Sequence, residues 1–395
     1  MLKSLTRFIQ EIVDIYTFFR KIPQAEKAIV LYVENENYYA YLEGLVTALT
    51  GQYDLSVCYI TSSPEDPILQ TTNPRIKPLY VKTLLPFFMI ALNCRVCVMT
   101  LTDLNQFSFK RSIEPVHYVY AFHSLVSTHM MYRHGAFDHY DAILCCGPHQ
   151  VQEIRQYETC HNRTPKQLIE AGYYRLERIY EAFRSPAAAP SPSDIKGTIL
   201  IAPSWGEENV LESCGERLCT LLLEAGYAII VRPHPETVKR SPELLALLTS
   251  VCGRNPNFTL ETSVATDDAL LRADVLITDC SGIALEYAFG TERPILFLDV
   301  PLKIKNQHFR ELNIEPVELF LRPKIGQIVS PEHLETVPQT LEALIEQRAA
   351  YADRIIELRT HYVYHFGQSS KIGAQYIYRL VTKKIDKIPI ETSKS

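Results

Sequence analysis

Residues 275–299 read VLITDCSGIALEYAFGTERPILFLD. A short apolar run stops at Thr278-Asp279-Cys280-Ser281-Gly282, a helical pattern follows, and a second apolar run closes the stretch. Short apolar runs bounded by turn residues are the pattern of strands buried on both faces, as in a parallel sheet. Residues 228–236, AIIVRPHPE, repeat the first part of the device: an apolar run that ends on Arg232, His234 and two prolines. In an open α/β sheet, ligands bind outside that end of the strands. The break at 279–282 sets backbone N–H groups, a hydroxyl and a glycine at a helix N-terminus, where an anion is favoured. The two stretches together read as half of a phosphate-handling active site.

The same alternation extends outward from this point. Strand patterns occupy residues 27–33, 55–60, 95–99, 117–120 and 142–145, with a helix at 38–49. Residues 182–194, AFRSPAAAPSPSD, are rich in proline, alanine and serine and read as a linker. Beyond them come strands at 198–201, 228–231, 275–277 and 295–298, and helices at 212–224, 267–272 and 282–289. This order specifies parallel sheets with crossover helices, an α/β fold. The chain is expected to divide into an N-terminal helix (1–22), a first α/β domain (23–181), the linker, and a second α/β domain (195–380) whose last helices cross back. A polar tail (381–395) ends it, and a ligand cleft lies between the domains.

With 395 residues, 47% of them hydrophobic, the chain has ample material for more than one core. A net charge of -5 argues against a nucleic-acid partner, which calls for a basic excess. Of ten cysteines, Cys58, Cys94, Cys97, Cys145 and Cys146 sit inside apolar runs, where reduced cysteine acts as a small hydrophobe. Cys94 and Cys97 therefore read as core, not as a redox pair, and a reducing compartment is the simpler setting. No stretch approaches the roughly 20 apolar residues that span a bilayer, and no continuous hydrophobic region follows Met1. The expected location is cytoplasmic.

Residues 2–19 place Leu2, Leu5, Phe8, Ile9, Ile12, Val13, Tyr16 and Phe19 on one side at helical spacing. Lys3, Arg7, Glu11 and Asp14 fall largely opposite, so the helix is amphipathic. Packing of the apolar side on its own protein or a second copy is the favoured reading. The alternative is peripheral attachment at the inner face of a membrane.

At the strand ends the chemistry is specific. In Arg232-Pro233-His234-Pro235 the prolines stiffen the turn, the guanidinium suits phosphate oxygens, and the imidazole can move a proton or donate to phosphate. Ser281 can cap the following helix and offer a hydroxyl, Gly282 lets a ligand approach the backbone, and Glu286 lies one turn on, where a carboxylate could hold ribose hydroxyls. In the first half, the run 118–124 ends on His123, the histidine at a strand end and the candidate general base. His129, His134 and His139 read as loop or helix residues without metal-ligand spacing. Pro203-Ser204-Trp205-Gly206 ends a further strand, with Ser204 near the phosphate site. Neither a Walker loop nor GxGxxG occurs.

These pieces resemble the CDP-glycerol glycerophosphotransferase family, enzymes that build poly(glycerol phosphate) of the teichoic-acid type. The likeness covers residues 117–300 and keeps the family's order. Phe122-His123-Ser124 stands where the family has His-Gly-Thr, and Ala202-Pro203-Ser204-Trp205 where it has Ala-Pro-Thr-Trp. Arg232-Pro233-His234-Pro235 follows, and then the run 278–287, TDCSGIALEY, which is similar to the family's Thr-Asp-Tyr-Ser-Ser-x-x-x-Asp. The resemblance implies a GT-B architecture, two Rossmann-like domains with the donor held mainly by the second. It implies that His123 and His234 are catalytic, that Asp279, Ser281 and Gly282 match the donor-phosphate loop and that Glu286 matches the family's acidic residue; Ser204, Arg232 and Thr278, at the same strand ends, are further donor-binding candidates. The chain departs from the pattern at Ser124-Leu125, at Gly206 where an arginine is common, at Gly282 for the second serine, and at Glu286 for the aspartate.

The expected function is transfer of glycerol phosphate, or a related polyol phosphate, from a CDP-activated donor to a glycan or lipid-linked acceptor in cell-surface polymer synthesis. His123 would take the acceptor's proton, and Arg232, His234 and the helix start would stabilise the phosphates. No carboxylate pair suits Mg²⁺, so no metal cofactor is expected. The alternatives are a GT-B glycosyltransferase using a nucleotide-sugar for capsule or lipopolysaccharide, a sugar-nucleotide epimerase, and an inactive binding protein of an export complex.

Overall fold

The computed structural model describes residues 2–185, 195–263 and 266–382. Most of the expected linker (186–194) and of the tail (383–395) lies outside them. Two sheets, every strand pair parallel, carry the chain. The first comprises β1 (Ile29–Val33), β2 (Val57–Thr61), β3 (Ile76–Tyr80), β4 (Val96–Met99), β5 (His117–Ala121), β6 (Ala142–Cys145) and β7 (Gln167–Glu170), in the order β3-β2-β1-β4-β5-β6-β7. The second comprises β8 (Thr198–Ile201), β9 (Ala228–Val231), β10 (Phe258–Leu260), β11 (Val275–Thr278), β12 (Ile295–Leu298) and β13 (Gly326–Val329), ordered β10-β9-β8-β11-β12-β13.

Both sheets have the doubly wound order, in which the chain starts at the centre, runs to one edge and returns to build the other. That order opens a crevice at the strand ends between β1 and β4, and another between β8 and β11. In the second sheet the register is Val275↔Ile199 and Ile277↔Ile201, so β8 and β11 end level. Residues 202–204 and 278–282 therefore leave the sheet side by side.

The central strands β1, β2, β4, β6, β8, β11 and β12 are buried along their whole length, which explains their uninterrupted apolar character. The C-terminal helix Ser369–Thr382 belongs spatially to the first sheet, with Ala374 and Ile377 buried beside Leu31 and Leu45. It comes so near helix Tyr39–Thr47 that a Cβ on Gly44 would lie 2.1 Å from Ser370 Oγ. The halves also meet directly: helix Tyr174–Arg184 packs on helix Gly282–Thr291, where Gly290 admits Ile179.

The N-terminal helix Leu2–Tyr16 reverses the sequence expectation. Glu11, 1% exposed, points inward and its Oε1 accepts the backbone N–H of Lys82 (2.7 Å) and Leu84 (2.6 Å). Asp14 Oδ2 accepts from Tyr80 N at 2.9 Å. The apolar side faces out: Leu5 is 60% exposed, Ile9 53% and Tyr16 56%, with Phe8, Ile12 and Val13 alongside. The physical reason is that the N–H groups where the chain leaves β3 lack strand partners, and carboxylates satisfy them better than water-filled space would. Packing of the apolar side onto its own chain is thus corrected. No helix among the described residues is long and apolar enough to cross a membrane.

Candidate active site

The crevice of the second sheet is stitched before any ligand arrives. Ser204 N–H and Oγ–H both donate to Asp279, at 2.9 Å to Oδ1 and 2.9 Å to Oδ2. Thr278 Oγ1 donates to Ala202 O at 2.7 Å. Burial raises the Asp279 carboxyl, while the two Ser204 bonds oppose the rise. Ser204, Thr278 and Asp279 thus lie together where the sequence puts them, but their side chains hold one loop to the other.

Ser281 occupies the N-cap position of helix Gly282–Thr291 with extended backbone (φ -118, ψ 147), yet its side chain makes no cap bond. The expected side-chain capping is absent; Ala284 N–H donates to Ser281 O at 3.1 Å, and the Ser281 hydroxyl is left for another partner.

Pro235 starts the short helix Pro235–Arg240, and His234 is its cap. Its Nδ1 accepts the backbone N–H of Glu236 at 3.1 Å. With Nδ1 accepting, the hydrogen-bond pattern assigns the ring proton to Nε2, which is then a donor. Burial, followed by the charge of Lys303, lowers this imidazole to about 4. It is therefore a neutral donor at neutral pH.

His123 lies beyond the end of β5, ringed by the edges of Tyr38, Tyr41 and Tyr132 at centroid distances of 5.4, 6.1 and 6.2 Å. Its Nδ1 is buried without a hydrogen-bond partner among the described residues. Burial first, and the Lys305 charge second, lower it to about 4. A neutral imidazole keeps one ring lone pair, with which it can accept a proton.

Lys303 and Lys305 were not singled out in the sequence. Both follow β12, and the strand-end rule applied to that strand would have found them. Their loop belongs to the second half but is pinned to the first: Lys305 N and Asn306 N donate to Met130 O, and Asn306 Nδ2 to His129 O. Lys305 consequently acts electrostatically on both His123 and His234. Lys303 Nζ donates to Trp205 O at 2.6 Å and stands 3.2 Å from the centre of the Trp205 ring. Burial and the neighbouring Lys305 bring Lys303 down to about 8, and Lys305 is itself lowered by burial and Arg133. Neither lysine makes an ion pair among the described residues; Asp279 and Glu236 act on Lys303, and Asp103 on Lys305, only at longer range, so both ammonium groups remain open to an anion.

Two predicted residues are placed differently. Arg232 is buried, its Nη2 donating to Glu261 Oε1 (2.6 Å) and Thr266 O (2.8 Å). Its Nη2 thus ties Glu261 to Thr266, while Nε is buried without a partner among the described residues. Glu286 is buried too, accepting from Tyr173 OH at 2.6 Å and Arg175 Nε at 3.0 Å. A carboxylate inside the interface between the halves finds cationic and phenolic partners there, and none of its oxygens is left for ribose. A groove of about 720 Å³ along helix Val210–Glu224 contains none of the groups described here. Among the described residues no group of three or more His, Cys, Asp or Glu could hold a metal ion.

The sequence model of the family described as CDP-Glycerol:Poly(glycerophosphate) glycerophosphotransferase matches residues 132–383. Among solved structures, the chain is similar to the wall teichoic acid polymerase TagF, at 14% identity and TM-score 0.57, with 97% of this chain and 99% of that one covered. A TagF variant soaked with CDPG gives 13% identity and TM-score 0.58, covering 95% and 98%. The UDP-GlcNAc 2-epimerase of Methanocaldococcus jannaschii, in complex with UDP-GlcNAc and UDP, gives 12% and 0.53, covering 89% and 99%. No match was found among curated proteins. At these identities the structural likeness establishes the fold, an α/β GT-B arrangement of two Rossmann-like domains.

Proposed function

The chain belongs to the CDP-glycerol:poly(glycerophosphate) glycerophosphotransferase family, and on that premise we propose that its cleft seats the donor's pyrophosphate between His123 and His234. The observation that carries this reading is Lys305, whose charge reaches both imidazoles from a loop bound to each half. An anion placed beside it meets the strand ends of both domains at once.

Each residue then has a definite task. His123, a neutral imidazole, accepts the proton of the acceptor hydroxyl as that oxygen bonds to the β-phosphorus. The bond from phosphorus to the bridging oxygen breaks and CMP leaves. His234 Nε2–H, Lys303, Lys305 and the N–H groups at the start of helix Gly282–Thr291 stabilise the charge growing on the phosphate oxygens. With this much positive charge from the chain, transfer is proposed to proceed without a metal, so EDTA should leave it unchanged. A lipid-linked or glycan acceptor enters from the His123 side. The outward apolar side of helix Leu2–Tyr16 rests on the membrane surface that holds such an acceptor.

The test is nucleotide release from CDP-glycerol, CDP-ribitol and UDP-sugars with a lipid or glycan acceptor present. CMP released from CDP-glycerol, with kcat reduced roughly 10³-fold in His123→Ala, is the expected result. UDP released from a nucleotide-sugar, with no CMP from either polyol donor, would replace this reading with a glycosyltransferase.

A further inference from the structure

Ser124 and Gly282 face each other across the cleft. Ser124 follows His123 in the first domain, and Gly282 opens helix Gly282–Thr291 in the second. A Cβ built on Gly282 would lie 2.4 Å from Ser124 Oγ and 3.4 Å from Val126 Cγ1. The first distance is below any ordinary contact. Gly282 is not among the positive-φ glycines, so its backbone does not call for glycine; the approach of Ser124 does. The Ser124 hydroxyl occupies the space into which a side chain at 282 would project.

That hydroxyl is uncommitted. Gln150 Nε2 donates to the backbone oxygen of Ser124, but Oγ has no hydrogen-bond partner among the described residues. The helix start it faces is uncapped, since the Ser281 side chain makes no cap bond.

We infer that Ser124 supplies, from the first domain, the hydroxyl that completes the donor-phosphate loop of the second. The inference rests on the reading above, with phosphate at the helix start. Ser124 donates its O–H to a phosphate oxygen, so the donor phosphate is held from both domains at once, with His123, the chain neighbour of Ser124, on the same side.

The experiment uses the full chain with CDP-glycerol. Wild-type CMP release is measured first, and its absence would remove the underlying reading. Given turnover, Ser124→Ala should raise the donor KM roughly tenfold with the melting temperature unchanged, as expected for one lost hydrogen bond to a charged group. Gly282→Ser alone should also weaken donor binding, because its side chain meets Ser124. The double variant Ser124→Gly/Gly282→Ser should return KM to within roughly threefold of wild type, a coupling that independent sites cannot give. A wild-type KM in Ser124→Ala, or a double variant no better than Gly282→Ser, would overturn the inference while leaving the transferase reading intact.

Discussion

Arg175 Nε donates to Glu286 Oε2 at 3.0 Å, joining the two domains one helical turn from the phosphate loop. Both side chains are nearly inaccessible, Arg175 Nη2 also reaches Asp267 Oδ1 at 2.9 Å, and Tyr173 OH completes the Glu286 carboxylate. Removing one member of a buried pair leaves an uncompensated charge. Glu286→Ala should therefore lower unfolding stability by about 3 kcal/mol in a denaturant titration. Lost donor affinity at unchanged stability would return Glu286 to the ribose.

Lys303 gives the site an alkaline limit. Burial and Lys305 bring its ammonium down to about 8, so raising the pH through that value strips a positive charge from the phosphate site. The profile of kcat/KM, which reports the free enzyme, should fall on its alkaline side with an apparent pKa near 8. Arginine keeps its charge throughout this range, so Lys303→Arg should move the falling limb upward. A limb that stays in place would exclude Lys303 as its source.

Stability should carry its own pH signature from Glu318. Ser127 N–H and Oγ–H donate to this carboxyl at 3.0 and 2.8 Å, and burial pushes it up to about 7. Between the ordinary glutamate value and 7 the folded chain holds a proton that the unfolded chain has released. Its contribution is therefore complete below the ordinary value and is lost as pH rises through 7. Glu318→Gln is neutral at every pH. Unfolding free energies measured at about pH 5 and about pH 8 should differ less in that variant than in wild type.

The N-terminal helix separates two kinds of substitution. Replacing Leu5, Phe8 and Ile12 with serine removes outward apolar surface, so binding to anionic vesicles should drop more than about tenfold in a sedimentation assay. Thermal stability should hold, because these side chains are exposed. Glu11→Gln should act in the opposite sense, lowering stability because a carboxylate accepting two backbone N–H groups is lost. Unchanged vesicle binding in the triple variant, with a concentration-dependent mass for wild type, would assign the surface to a second copy.

The strands legible in the sequence and those that were not divide cleanly by position. Every strand expected from an apolar run lies inside a sheet. The four not expected, β3, β7, β10 and β13, are the four sheet edges. An edge strand is covered less completely, as the partly exposed residues of β7 and β10 show, so its composition loses the continuous apolar run. The site divides in a similar way. His123, His234 and Ser281 could be placed because strand ends are written locally. Lys303 and Lys305 follow a strand end too, but what makes them a site is the reach of Lys305 to His123 in the other domain and of both lysines to His234.

By itself, the sequence determined the parallel two-sheet α/β fold and the loops that deliver chemistry, since buried-strand runs and turn residues are local and survive any packing. Tertiary structure alone decided which polar groups stay available. Arg232 and Glu286 are consumed by partners far along the chain, Glu11 and Asp14 turn inward to unpaired backbone N–H groups, and Ser124 comes to fill the space that Gly282 leaves. A polar side chain goes to whichever partner best offsets its loss of water, and that partner is identified only once the chain has folded.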